Sequence, residues 1–401
     1  MIERIFFFLL GIFLVFILAF AFSSDRKNIK YRWLFILLFI QLILCGILLE
    51  SHIGVLIMKG VTNAFNFLID KAQVGISFVF GNIDKNKDNG FVLFLNVLMP
   101  IVFISALIGI LQYLKILPLI IRGVGYLLSK VSGMGKLESF NAVSSLTLGQ
   151  AENFIAYKNI LGHLSPNVLY TMTATAMSTV SLSILGSYMV MIDPKYVCVA
   201  IIMNMFSTFF VLHIINPYDF KKETSYEELE IDYDTDSKRA FFIVLGEYII
   251  DGFKIATVIA AMLIGFMALI ATLNSCFEFI IGISFQDLLG YVFYPIAWVL
   301  NIPSNEMLFA GKLMGIKLVS NEFVAMLMMK DHLTEISLHT QAVISVFLVS
   351  FANFSSIGII VGTIYSLDKV AVEKVSKFSL KILYGATLVS LLSAVVVGVF
   401  V

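Results

Sequence analysis

Long apolar runs separated by short polar stretches dominate this chain. A helix that crosses a bilayer needs about 20 mostly apolar residues. Eight runs meet that need, near 5–22, 33–49, 91–113, 168–190, 196–216, 252–273, 342–365 and 379–401. The stretches 53–80 and 278–300 mix Gly, Asn and aromatic residues with apolar ones at helical spacing, which predicts helices lying in the interface. Tyr291, Tyr294 and Trp298 are of the kind that anchors at headgroup depth. Tyr218 to Arg239 has soluble character, with Lys221, Lys222, Asp232, Asp234 and Asp236, and the segment 218–250 reads as a cytoplasmic linker between two halves. The pattern predicts an all-α integral membrane protein of eight transmembrane helices.

Two segments fit neither class. Residues 136–165 and 303–335 are nearly apolar enough to enter a bilayer, yet carry Glu138, Gln150, Glu152 and Lys158, or Lys312, Lys317, Asn321, Glu322 and Lys330. A charge at the bilayer centre costs roughly 2.5–3.5 kcal/mol even on the lenient insertion scale. Each segment is therefore expected to fold as a re-entrant helical hairpin whose tip is buried in protein.

The halves repeat: an amide and carboxylate (Gln150 and Glu152; Asn321 and Glu322) precede a polar helix (Ser178, Thr179, Ser181 and Ser183; Asn353, Ser355 and Ser356). Paired interrupted segments at corresponding positions point to a transporter site near the membrane midplane. An odd number of spans between the units implies inverted topology. The expected organisation is 1–90 as N-terminal scaffold, 91–217 as first repeat, 218–250 as linker and 251–401 as second repeat.

Charge sets the expected orientation. Arg26, Lys27, Lys30 and Arg32 crowd the first loop, and later loops expected on the same side carry Lys115, Arg122, Lys130 and Lys136, then Lys369, Lys374 and Lys377. The positive-inside rule makes these cytoplasmic and both termini external. Ala19-Phe20-Ala21 resembles a cleavage site, but the preceding run is long enough to span, so an uncleaved first helix is expected.

With 59% hydrophobic and 13% charged residues, the composition lies far outside soluble usage. A formal net charge of zero argues against a nucleic-acid partner. Cys45, Cys198 and Cys276 have unrelated spacing and read as packing residues rather than disulfide or zinc ligands. Asp84 to Gly90 begins like a calcium loop, but its glycine falls one place late and Leu95 stands where a bidentate glutamate is needed. The five histidines lack metal-ligand spacing, so no metal site or cofactor is expected. Glu152 and Glu322, each beside an amide, suit a neutral ligand rich in hydroxyl and NH donors.

Four motifs carry a resemblance over essentially the whole chain: Gly133 to Asn141, Leu148 to Phe154, Val319 to Ala325 and Phe351 to Gly358. In this order they resemble the concentrative nucleoside transporters, and look closest to their bacterial NupC-like branch. The resemblance implies a non-enzymatic symporter in the bacterial inner membrane, a homotrimer whose protomers work independently. It implies that Gln150 and Glu152 contact the nucleobase and that Ile184 is an apolar contact to it. Glu322, Asn353 and Ser356 match the residues that hold the ribose hydroxyls, and Phe351 matches an aromatic beside the sugar. Uridine-like and purine nucleosides are the substrates it implies.

Two departures bear on the mechanism. Many members have Thr or Ser where this chain has Ala151, and sodium-coupled members have Asn where it has Ser145. Loss of an amide oxygen weakens a sodium site, which needs several oxygens at close range. Proton coupling is therefore expected, with Glu322 or Glu152 as carrier. Sodium coupling is the alternative, to which the Thr179 hydroxyl belongs; a membrane enzyme or passive channel is the rival from another class, and no nucleophile–base pair or metal cluster supports an enzyme.

Overall fold

The computed structural model describes residues 2–81, 92–220 and 239–401. The calcium-like loop and the acidic run of the linker fall outside these residues. Every regular element among them is helical. Three helices come first, α1 (Ile2–Ala21), α2 (Tyr31–Glu50) and α3 (His52–Phe80). A π-turn at Phe94–Leu98 then leads into α4 (Pro100–Tyr113) and α5 (Ile116–Val131). The first hairpin is α6 (Lys136–Leu148) and the short α7 (Glu152–Ile155), followed by α8 (Pro166–Ser178), α9 (Leu182–Met191) and α10 (Pro194–Ile215). After the linker come α11 (Phe241–Ile281) and α12 (Phe285–Val299). The second hairpin is α13 (Met307–Val319) and α14 (Glu322–Asp331), followed by α15 (Leu338–Leu348), α16 (Phe354–Leu367), α17 (Lys369–Lys377) and α18 (Ser379–Val397).

Among the described residues, eight stretches are long and apolar enough to cross a membrane. Seven match runs read from the sequence. The eighth is α3, assigned above to the interface, while the run 342–365 is replaced by two shorter helices, α15 and α16. The run 168–190 is likewise split into α8 and α9. At the break before α16 the reason is local chemistry: an Asn side chain competes for backbone groups and starts a new helix as its N-cap. Asn353 does this for α16, its Oδ1 accepting the Ser356 N–H at 2.8 Å. The linker is also shorter than expected at its far end, since α11 begins at Phe241. At 41 residues, α11 is about 60 Å long at 1.5 Å per residue, twice the bilayer core.

The molecule has a buried centre and an apolar outside. α8, α10, α15 and α18 are almost wholly buried. By contrast α1, α3 and α11 expose large apolar side chains such as Phe13, Phe78 and Phe279, the surface expected of helices facing lipid. Cys45 and Cys198 are buried, whereas Cys276 is exposed on α11 and packs no core.

Contacts at the helix ends place the bases of the two interrupted helix pairs, α6–α7 and α13–α14, at opposite ends of the molecule. At one end, Ser24 N–H donates to Ile215 O at 2.9 Å, Trp33 stacks on His213, and Lys374 donates to the carbonyls of Gly162 and Leu164 at 3.0 and 2.8 Å. The first hairpin is rooted there, Glu138 accepting from Tyr218 OH at 2.5 Å. The basic segments around 26–33 and 369–381 gather at this end. At the opposite end Phe7 meets Trp298, His339 lies against the Leu300 and Val401 carbonyls, and Glu306 accepts from Ser337 N–H and hydroxyl. The second hairpin is rooted here, so the two hairpins enter from opposite ends.

Candidate functional site

The tips of both hairpins and both split helices meet, so four backbone interruptions surround one volume. The first is Gly149–Ala151. Gly149 has φ +112°, and a Cβ there would lie 2.9 Å from Glu152 Oε2 and 3.2 Å from Ser181 Cβ; only glycine suits both the backbone and the close approach. Behind this tip, Asn153 Nδ2 donates to Asn141 Oδ1 at 2.7 Å and to Ser145 Oγ at 2.8 Å, and Asn141 Nδ2 donates to Met172 O at 3.1 Å. This buried amide chain ties the hairpin arms to α8.

The second interruption, Thr179–Ser181, contacts the fourth, Val349–Asn353: the Phe351 N–H donates to Thr179 O at 3.3 Å. The third, Ser320–Asn321, ends in extended backbone at Asn321, whose Oδ1 caps α14 by accepting the Val324 N–H at 3.0 Å. Helices that start at the centre of the protein direct free N–H groups into it.

Between the interruptions lies a cavity of about 260 Å³. All seven residues singled out from the sequence line it: Gln150, Glu152, Ile184, Glu322, Phe351, Asn353 and Ser356. Gln150, Glu152 and Ile184 come from the first half and the other four from the second. The Gln150 amide oxygen is buried and accepts no hydrogen bond from the described residues, so it can receive a ligand donor. Glu322 is 3% exposed yet well held: Oε2 accepts from Asn353 Nδ2 at 2.8 Å and Oε1 from Tyr188 OH at 2.7 Å. Each carboxylate oxygen retains capacity for a further donor.

Two features escaped the sequence reading. Tyr188, fully buried on α9, joins the first half to the glutamate of the second; it lies one helical turn beyond Ile184, a spacing that reads equally well as core packing. The other wall comes from α11, with Lys254, Ile255, Val258, Ile259 and Met262. Glu152 also lines a second, more polar cavity of about 610 Å³, together with Lys158, Tyr248, Asp251 and the ion-paired Arg239 and Glu247.

Family models match along most of the chain: "Na+ dependent nucleoside transporter N-terminus" over residues 10–83, "Nucleoside recognition" over 94–195 and "Na+ dependent nucleoside transporter C-terminus" over 196–398. The purine nucleoside transport protein NupG of Bacillus subtilis is 35% identical over 395 residues, covering 98% of each chain. Among solved structures, a doubly substituted CNTnw in an outward-facing state matches with TM-score 0.93 at 28% identity, covering 100% of this chain and 98% of that one. CNTnw in an inward-facing substrate-bound state matches with TM-score 0.90 at 27% identity, over the same shares of each chain. This multi-pass, non-enzymatic membrane protein belongs to the concentrative nucleoside transporter family.

Proposed function

We propose that this protein imports nucleosides across the bacterial inner membrane by proton-coupled symport. One observation carries the substrate reading: a single cavity unites amide and carboxylate groups from both hairpin tips with an aromatic and an aliphatic side chain. Its volume of about 260 Å³ is close to the roughly 300–1,000 Å³ of small-molecule pockets. Gln150, Glu152 and Ile184 take the base; Glu322, Asn353 and Ser356 take the ribose hydroxyls, with Phe351 packed beside the sugar. A ribose diol donates to the Glu322 carboxylate, and a sugar without it leaves that buried acceptor unfilled, which is how such a site rejects it.

Alternating access is supported by the likeness to solved structures in both outward-facing and inward-facing states. The hairpin-bearing unit moves against a scaffold that includes the N-terminal helices, carrying site and cargo between the two faces as re-entrant hairpins close behind it. Both termini are external, the basic end is cytoplasmic, and the protein assembles as a homotrimer. Purine nucleosides are the first substrates to test, given the name of the Bacillus subtilis relative, with uridine beside them.

Proton coupling is supported by Ser145, whose hydroxyl accepts from Asn153 at 2.8 Å where an amide oxygen would serve a sodium ion. Two carboxylates that line the cavity, Glu152 and the buried Glu322, are available as carriers. Sodium coupling is favoured by the wording of two matched family models and by the buried Thr179 hydroxyl. Uptake of labelled nucleoside into proteoliposomes under imposed pH or sodium gradients tests both. Accumulation driven by an inward proton gradient without sodium is expected; uptake that needs sodium and ignores pH refutes proton coupling, and uptake that only equilibrates refutes symport.

A further inference from the structure

Lys317 is 1% exposed, in the arm of the second hairpin that leads to the tip. A buried ammonium is costly unless all its donors are used, and here they are. Its Nζ donates to Phe347 O at 2.5 Å, Ser350 Oγ at 2.7 Å and Ser390 Oγ at 3.0 Å, and sits 4.6 Å from the centre of the Phe347 ring.

The Phe347 carbonyl explains the placement. In an uninterrupted helix it would accept the N–H of Phe351, four residues on. That N–H instead donates to Thr179 O in the other split helix. The break thus frees a carbonyl at the C-terminus of α15, the negative end of the helix dipole, in the protein interior. Lys317 supplies both the missing donor and a positive charge. The first half solves the same problem differently. Thr179, like Phe351, lies two residues before the cap of the next helix, and its own hydroxyl donates to Thr175 O at 3.2 Å. Phe351 has no hydroxyl, so the donor must come from another element.

We infer that Lys317 is a positioning residue for the sugar end of the site: by filling the Phe347 carbonyl and gripping Ser350 and Ser390, it holds the α15–α16 break in the register that presents Phe351, Asn353 and Ser356 to the cavity. Asn353 in turn supports Glu322. The inference rests on the assignment of that end to the ribose.

The test is the affinity of purified protein for a ribonucleoside relative to its 2′,3′-dideoxy counterpart, in wild type, Lys317→Met and Ser390→Ala. Lys317→Met is expected to weaken ribonucleoside binding roughly tenfold or more, the scale of a lost charge-assisted hydrogen bond, with dideoxynucleoside binding nearly unchanged. Ser390→Ala, which keeps the ammonium but removes one acceptor, is expected to reduce the ratio about threefold. A folded Lys317→Met protein that retains the wild-type ratio, through intact or equally weakened affinities, overturns the inference. Where Lys317→Met fails to fold, the Ser390→Ala ratio decides: a reduced ratio supports the inference and an unchanged one overturns it. A wild-type ratio near one overturns the ribose assignment itself, and the inference with it.

Discussion

The second hairpin is clasped to α12 through three glycines, and a methyl group at Gly311 should both destabilise the protein and disturb the site. A Cβ on Gly311 would lie 2.4 Å from the Gly290 carbonyl oxygen, and one on Gly315 would lie 2.6 Å from Leu289 Cβ. Gly311 and Gly315 form the small-xxx-small spacing by which helices approach closely within membranes. Close carbon–oxygen contacts between backbones begin near 3.3 Å, so Gly311→Ala must open the helix pair locally by about 0.9 Å. The obstacle is backbone and cannot swing aside. A gap of roughly 0.5–1 Å forfeits a quarter to a half of each dispersion well along the seam. Overpacking of this kind costs about 1–3 kcal/mol, and the helix propensity of alanine returns at most about 1 kcal/mol. From the middle of that range the net expectation is about 1 kcal/mol of destabilisation, even with the Lys312–Asp287 bridge at 2.6 Å beside the contact. Gly246→Ala is the control: nothing lies within 4 Å of its Cβ, so it should be neutral or up to about 1 kcal/mol stabilising. Thermal unfolding of the purified proteins measures both, and uptake kinetics should show a raised KM for Gly311→Ala because α13 leads directly into the tip that bears Asn321 and Glu322. A Gly311→Ala midpoint equal to that of wild type and Gly246→Ala would refute the close-packing argument.

The remaining expectations concern the cavity. Glu322→Gln should abolish concentrative uptake while leaving thermal stability near wild type; near-normal transport would remove Glu322 from the site. Tyr188→Phe takes away one of two donors to Glu322 and should weaken ribonucleoside binding up to about tenfold, the scale of a hydrogen bond to a charged group; unchanged affinity by calorimetry would show that Asn353 alone orients the carboxylate. Asn353→Ala removes both the cap of α16 and a Glu322 donor. It should cost about 1 kcal/mol of stability from the cap and lose more affinity than Tyr188→Phe; an affinity at least as high as that of Tyr188→Phe counts against its dual role.

Apolar run length anticipated seven of the eight long apolar stretches among the described residues because a bilayer demands that length, and charge inside two apolar segments marked the interrupted pairs α6–α7 and α13–α14 because lipid would reject it. What run length could not show were the splits at Thr179–Ser181 and Val349–Asn353. Hydropathy averaged over 20 residues hides a break of three or five, and the cues are single side chains: Asn353 capping α16 and Ser181 preceding α9. The near end of α11 was lost for a similar reason. Glu247 and Asp251 make residues 241–251 look like linker, yet both are exposed on a helix face and meet Arg239 and Lys254.

The cavity itself was more legible than its supports. Gln150, Glu152, Glu322 and Asn353 are polar residues in apolar surroundings, and such residues announce themselves because burial without a partner is costly. Tyr188 and Lys317 did not, since a tyrosine at a helical spacing reads as packing and a lysine near a hairpin arm reads as a partner for the nearby glutamate. In the structure Lys317 donates instead to Phe347, Ser350 and Ser390, and Glu322 takes its donors from Tyr188 and Asn353. The division has a physical consequence. A carboxylate pinned directly by an ammonium would have its acceptor capacity consumed and would compete with any ligand donor, whereas neutral donors on one side of each oxygen orient Glu322 and leave its other lone pairs facing the cavity.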